Sequence, residues 1–217
     1  MIEKFFKKTG MYIDWQQIES LPEIDTLIDI GVGTKGTENL YKVFKDANLI
    51  LIDPIDEAKE YANKLSKERK VVFIQSALGK DDDDIKKNLK LQKIRNFSSF
   101  LEISSINMED NYTEIKKLKT PKLDTLLKDK NKLGKIGIKI DVEGYELDVV
   151  LGATETLKFT KFLIIEVRHN HESLIGSYKL HEFMDLMNKN NFTLSKILTA
   201  KPFIADLCFQ SNEDLQL

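Results

Sequence analysis

Three groups of residues in this sequence have types and spacings that can do chemistry. The first is Gly31, Gly33 and Gly36, which follow a short apolar run and precede a helical pattern, with Asp53 standing 22 residues after Gly31. Glycines let the backbone turn sharply and let a ligand approach peptide groups with no Cβ in the way. A helix start behind them offers free N–H groups and a positive dipole end. An acid about 20 residues on, at the tip of the next strand, can accept both hydroxyls of a ribose. That set points to a nucleoside-containing ligand. The second group is Asp141-Val142-Glu143-Gly144. Acids next to glycine at a strand end cost free energy unless something pairs with them. Asp141 and Glu143 are expected to project to opposite sides, one toward a ligand cleft and the other capping or anchoring the helix that follows. The third group is Glu166, inside an apolar run, with Arg168, His169, Asn170 and His171 just beyond. Glu166 is either a site residue or a carboxylate buried against a lysine or a backbone amide. His169 and His171 alternate, so only one of them faces the cleft.

The elements that must position these residues are legible in the hydrophobic pattern. Apolar β-branched runs predict buried strands at 26–30, 49–52, 71–74, 136–140 and 162–167, and helical spacing predicts helices at 37–45, 54–69, 122–127, 145–157 and 179–190. Segments 192–197 and 204–209 read as a terminal hairpin. Strand–helix alternation of this kind argues for an α/β fold, a doubly wound, mainly parallel sheet with an antiparallel C-terminal hairpin at its edge. Ligands of such sheets bind outside the carboxyl ends of the strands, which is where Asp53, Ser76, Asp141, Glu143 and His169 all fall. Ser76 and Ala77 follow the third strand, beside the place of a nucleotide base, and are candidates to hydrogen-bond an adenine edge.

Other stretches are less regular. The four acids at 81–84 read as a solvated turn, 86–111 is polar and uneven, 97–103 is an extra strand or a loop over the site, and 112–119 is charged and ambiguous. Near the start, Ile2, Phe5 and Phe6 form one face of a short helix with Lys4, Lys7 and Lys8 outside it. This extension, 1–24, packs on its own domain, acts as a lid that Trp15 joins, or touches a membrane surface.

Composition sets the frame. The 217 residues predict one domain, 41% apolar residues suffice for a full core, and a net charge of −2 implies no nucleic-acid partner. The single cysteine, Cys208, excludes an internal disulfide and fits a reducing compartment. No apolar run approaches the ~20 residues of a membrane span, and no signal-peptide core opens the chain. A cytoplasmic protein acting on a small molecule is expected.

Taken together, LIDIGVGTKG, LIDP, KLDTLL, IGIKIDVEGYELDVVLGA and FLIIEV resemble the FkbM-type S-adenosylmethionine-dependent methyltransferases, the distinctive block being KIDVEG with its helix and Gly152-Ala153. The resemblance spans 26–167. It implies a seven-stranded Rossmann-like sheet, S-adenosylmethionine as cofactor, and O-methylation, often of a sugar hydroxyl. By matched position it implies that Asp29, Gly31, Gly33 and Gly36 surround the methionine part of the cofactor, that Asp53 holds the ribose, and that Asp141 lies near the sulfonium. Val32-Gly33 stands where the family often has Ala-Asn, and Asp53 where it often has Glu; a small turn residue and a carboxylate are kept. Segments 1–23 and 80–122 match little and are expected to carry substrate choice.

Methyl transfer to a hydroxyl needs a base, and the pool is Asp141, Glu143, Glu166 and His169. A histidine suits the task near neutrality, which favours His169, with Asp141 holding cofactor or orienting the hydroxyl. The residues leave open whether a divalent metal joins Asp141, Glu166 and His169. Two other classes share the opening unit. An NAD(P)-dependent oxidoreductase is one, since Ser99, Tyr112 and Lys116 imitate a Ser and Tyr-x-x-x-Lys set, although too few βα units precede them. A non-catalytic nucleoside-binding module is the other.

Overall fold

Runs of Ile, Leu and Val that are apolar at every position require cover on both faces, and the chain supplies it. A computed structural model describes residues 12–13, 15–82, 84–92, 98–103, 112–169 and 174–215. Its strands are β1 (Tyr12–Ile13), β2 (Thr26–Ile30), β3 (Asn48–Ile52), β4 (Val71–Ile74), β5 (Lys87–Gln92), β6 (Glu102–Ile103), β7 (Tyr112–Leu118), β8 (Ile136–Ile140), β9 (Thr160–Arg168), β10 (Leu174–Ile175), β11 (Phe192–Ala200) and β12 (Ile204–Ser211). Its α-helices are α1 (Glu38–Val43), α2 (Asp56–Leu65), α3 (Leu123–Leu126), α4 (Glu146–Leu151), α5 (Thr154–Leu157) and α6 (Leu180–Lys189).

The main sheet runs β1-β11-β12-β9-β8-β2-β3-β4, the seven expected strands plus a two-residue edge strand. Strands β4, β3, β2, β8 and β9 are parallel. The terminal hairpin extends the sheet beyond β9 as expected, with β12 between β9 and β11 and antiparallel to both. From β2 the chain winds one way to β3 and β4, and later the other way from β8 to β9, so the winding reverses between β2 and β8. One face of the sheet, including Ile28, Ile138, Leu163 and Ile165, packs on Val149 and Val150 of α4 and Phe183 and Met187 of α6. The other, including Leu27, Leu51, Ile164 and Cys208, packs on Leu40 and Tyr41 of α1 and Ala58 and Ala62 of α2. Arg69, just past α2, ties that layer down by donating to the carbonyl oxygens of Tyr41, Phe44 and Ala47.

Three local expectations are corrected. The helix over 145–157 is two helices, because Asp124 of α3 accepts the N–H groups of Glu155 and Thr156 and the Thr156 hydroxyl, capping α5 from outside. Gly152 sits at the break, where a Cβ would collide with the Gly79 carbonyl. Segment 86–119 holds a second, two-stranded ribbon of β5 and β7, antiparallel. Asp82, in the acidic run, is more than a solvated turn: it accepts the Lys122 N–H and the Thr125 hydroxyl and caps α3. The expected N-terminal helix of Ile2, Phe5 and Phe6 lies outside the described residues, as do the Trp15 side chain, Phe97, Asn170 and His171. Among the described residues no helix is long and apolar enough to cross a membrane.

Candidate active site

The glycine turn is built by the reversal of winding. Gly31 follows β2 with φ +83°, a conformation side chains resist, and a Cβ there would collide with the carbonyl of Asp141. The Gly31 N–H donates to Ile52 O and the Asp141 N–H to Ile30 O, both at 2.9 Å, so the ends of β2, β3 and β8 are knitted together. Gly33 and Gly36 also have positive φ, and a Cβ on Gly36 would strike the Tyr41 ring. The three glycines thus leave a cradle of bare backbone at the carboxyl edge.

Asp53 closes the cradle. Its Oδ2 accepts the Gly33 N–H and its Oδ1 the Ile55 N–H, each at 2.9 Å. Burial pushes its carboxyl up to about 6, against the pull of those two amides. Each carboxylate oxygen retains a second lone pair, so the same group can hold the loop and accept hydroxyls. Asp29 lies within β2, wholly buried, with the Tyr41 hydroxyl donating to it. Burial raises its pKa, while Lys139, Tyr41 and Thr37 counter part of that cost.

A polar stripe crosses the sheet beside this cradle. Side chains alternate along a strand, so Asp29 shares a face with Leu27, Lys139 with Gly137, Glu166 with Ile164, and Asp206 with Cys208. Register aligns them: Asp29 opposes Lys139, Glu166 opposes Asp206, and Asp206 opposes Thr199. Lys139 is the hub. Its ammonium lies 3.3 Å from Asp141 and 3.8 Å from Asp206, with its side chain 3% exposed. Burial alone would lower its pKa, but Asp141, Asp206, Asp29 and Glu166 outweigh this and raise it, so the lysine stays charged.

Asp141 and Glu143 do not project to opposite sides. Strand β8 has ended at Ile140, and Glu143 takes a positive φ of 54° that turns it back into the cleft. There it pairs with Arg168, while Ser99 Oγ donates to its carbonyl at 2.7 Å. Burial and Asp141 push the Glu143 carboxyl up to about 7, against Arg168. The helix-anchoring role belongs instead to Glu146, whose buried Oε1 accepts the N–H groups of Val142 and Gly144. Glu166 completes the cluster; burial first, then Asp141 and Glu143, raise its pKa, with Lys139 opposing.

Oxygens of Asp141, Glu143 and Glu166 lie within 4.8 Å of one another, so the trio with metal-ligand spacing contains Glu143 rather than His169. Two of its members already face a cation of the chain, Lys139 and Arg168. The structure does not bring His169 to the cluster. It lies four residues beyond Ile165, the partner of Ile140, roughly 13 Å further along the chain at about 3.3 Å per residue. It is exposed, with Nε2 facing the Lys201 carbonyl at 3.1 Å.

Three cavities line the carboxyl edge in a row. The first, about 60 Å³, lies among Ser76, Ala77, Leu89, Phe100, Tyr145 and Asp53. Phe100 and Tyr145 rings meet at 5.2 Å over it, so residues 98–101 pass over this cavity as a loop, while Glu102–Ile103 is the strand β6. Ser76 directs its hydroxyl to the Ala77 carbonyl. The second cavity, about 320 Å³, is bounded by the three glycines, Asp53, Asp141 and Glu166. The third, about 590 Å³, is bounded by Lys35, Lys139, Asp141, Glu166, Lys201 and Asp206. Neighbouring cavities share walls, Asp53 between the first two and Asp141 with Glu166 between the last two. Ser99 and Lys116 have separate partners, Glu143 and Asp56, and do not form an oxidoreductase set.

Sequence reasoning missed Lys139, Asp206, Thr199 and Lys201. Lys139 had a signal: a lone lysine in a strand apolar on both faces must meet carboxylates. The others belong to a hairpin whose position beside β9 no local pattern reveals.

The model of the methyltransferase FkbM domain matches residues 34–194. No curated protein matches significantly. Among solved structures, the fibrillarin pre-rRNA processing protein of Methanococcus jannaschii is 8% identical, with 91% of this chain and 73% of that one covered at a TM-score of 0.51. An S-adenosylmethionine-dependent methyltransferase of Aquifex aeolicus is 15% identical, with 91% and 89% covered at 0.48. At 8% identity the fibrillarin match speaks to the fold alone. The domain match carries the assignment, and the glycine cradle and Asp53 fit its cofactor: the chain belongs to the FkbM methyltransferase family and is an S-adenosylmethionine-dependent methyltransferase.

Proposed function

We propose that the enzyme methylates a hydroxyl oxygen of a sugar or glycan-related small molecule, with Glu166 as the general base. The observation that carries this reading is the place of Glu166 and Asp141, which wall both the glycine-cradle cavity and the larger cavity beyond it. S-adenosylmethionine, when bound, supplies a methyl group already activated on a sulfonium. The chain's work is to hold, orient and deprotonate. Gly31, Gly33 and Gly36 offer backbone to the methionine end, with Asp29 behind them. Asp53 accepts the ribose hydroxyls, and Ser76 and Ala77 flank the base. Asp141, fixed by Lys139, orients the acceptor hydroxyl, and Glu166 takes its proton. Glu166 suits that role because burial and like charges make its carboxylate basic, whereas Glu143 is committed to Arg168.

Asp53→Ala is expected to weaken cofactor binding by about 1.5–3 kcal/mol for each charge-assisted hydrogen bond lost, with Asp53→Asn milder. Isothermal titration with S-adenosylhomocysteine reads this directly, and equal affinity in Asp53→Ala and parent would detach Asp53 from the site.

The acceptor class is tested with methyl-labelled cofactor and a panel of hydroxylated, amino and carboxylic small molecules. Label should appear in products that survive mild alkali, as methyl ethers do. Label confined to alkali-labile esters, or to amines, would contradict hydroxyl methylation.

A further inference from the structure

The largest cavity at the carboxyl edge has its charges in layers. At its floor, Asp141 and Asp206 share the buried ammonium of Lys139, and the Thr199 hydroxyl donates to Asp206 at 2.6 Å. Glu38, at the rim, lies 3.9 Å from Lys42. Lys35, from the glycine turn, and Lys201, from the turn between β11 and β12, also wall the cavity. Among the described residues neither has a carboxylate within ion-pair distance. Lys201 is half-buried and Lys35 is exposed. Glu38, Asp141, Glu166 and Asp206 line the same cavity, so the two lysines do not make it positive overall; each is instead a local point-charge partner for an anion.

We infer that the acceptor is a hydroxylated anion, whose phosphate or carboxylate group is held by Lys201 and Lys35 while one of its hydroxyls is presented to Glu166 and Asp141. The inference rests on the methyltransferase reading and deepens it by naming the substrate class. The chemistry of the floor and the rim divides the labour. Thr37, Asn39 and Thr199 can exchange hydrogen bonds with hydroxyls, and the lysines supply what a neutral sugar would not use. Lys35 borders the glycine-cradle cavity as well, so Lys201 is the cleaner probe: it lines only the larger one.

The test uses the full chain saturated with S-adenosylhomocysteine, titrated calorimetrically with methyl glucoside, glucuronate and glucose 6-phosphate. At least one of the two anions should bind about tenfold or more tightly than the neutral glycoside, the scale of one charge-assisted contact. The comparison of glucuronate with glucose 6-phosphate tells carboxylate from phosphate. Lys201→Gln, which keeps the aliphatic stem, and Lys201→Ala should both remove most of that preference, and Lys35→Ala combined with Lys201→Ala should abolish it. Lys158→Ala, at the opposite edge of the sheet, should leave it intact. Absence of an anion preference, or a preference that survives the double substitution, overturns the inference. Failure of S-adenosylhomocysteine to bind at the outset would instead count against the methyltransferase reading itself.

Discussion

Glu166→Gln is expected to lower turnover by ~10²–10⁴-fold, the usual scale of a lost general base, while leaving cofactor affinity within a factor of a few. The amide keeps the shape of the side chain and removes only the ability to take a proton. The parent enzyme should also carry a pH signature. Burial with Asp141 and Glu143 beside it raises the Glu166 pKa, and the base must be ionised to act. Turnover should therefore climb with pH above the range in which an ordinary glutamate has already ionised, and fall as pH drops through that raised value. Glu166→Gln should lose this limb along with the rate. A variant with parental turnover would move the base to Glu143 or Asp141. His169→Ala should change turnover little, because the ring faces the Lys201 carbonyl and lines none of the three cavities.

The second large effect is on stability. Lys139→Met is expected to destabilise the fold by about 3–5 kcal/mol at neutral pH, the cost of stranding buried charge by removing one partner. Asp206, whose side chain is 11% exposed, and the more open Asp141 would be left with no cation between them. The loss should shrink in acid. Lys139 opposes the raised pKa values of Asp29 and Glu166, so without it these carboxyls hold a proton still more tightly folded than unfolded. By linkage the deficit is smaller where they are protonated and grows as pH rises. Urea unfolding of the two proteins at pH 5.5 and 8 measures this, and adding Asp206→Asn should recover part of the loss. An equal deficit at both pH values would mean that Lys139 acts by packing, not charge.

What could be read in advance follows from how local each feature is. Strand β2, the glycine turn and Asp53 were legible because buried runs, turn residues and a spaced acid all lie within one short stretch. Strand β8 was legible for the same reason, to the residue. The break between α4 and α5 was not, since Asp124 caps α5 from a different helix and the hydrophobic spacing runs on through Gly152. Strand β5 was hidden because it pairs with β7 and, through Lys90, with Ser99, away from the main sheet, and has no continuous apolar run. Glu143 was misread because a strand rule was applied past the end of β8, where a positive φ decides direction. His169 was attractive by type and by strand end, but β9 extends past its neighbours to pair with β12, which carries His169 beyond the cluster. Glu166 remained ambiguous between ligand and structure. It opposes Asp206 across the register and lies close enough to Lys139 for the lysine to oppose its raised pKa, so it belongs to both descriptions.

The central claim is that the glycine cradle with Asp53 holds S-adenosylmethionine. Thermal or chemical unfolding of the full chain, with and without the cofactor, tests it most directly. At 100 times its dissociation constant the cofactor should add roughly 2.7 kcal/mol of stability, by mass action on the folded state. S-adenosylhomocysteine should do likewise, NAD and NADP should not, and the gain should diminish in Asp53→Ala at the same concentration. An unfolding curve that stays unmoved at millimolar S-adenosylmethionine, or that moves for NAD and not for S-adenosylmethionine, would contradict the account.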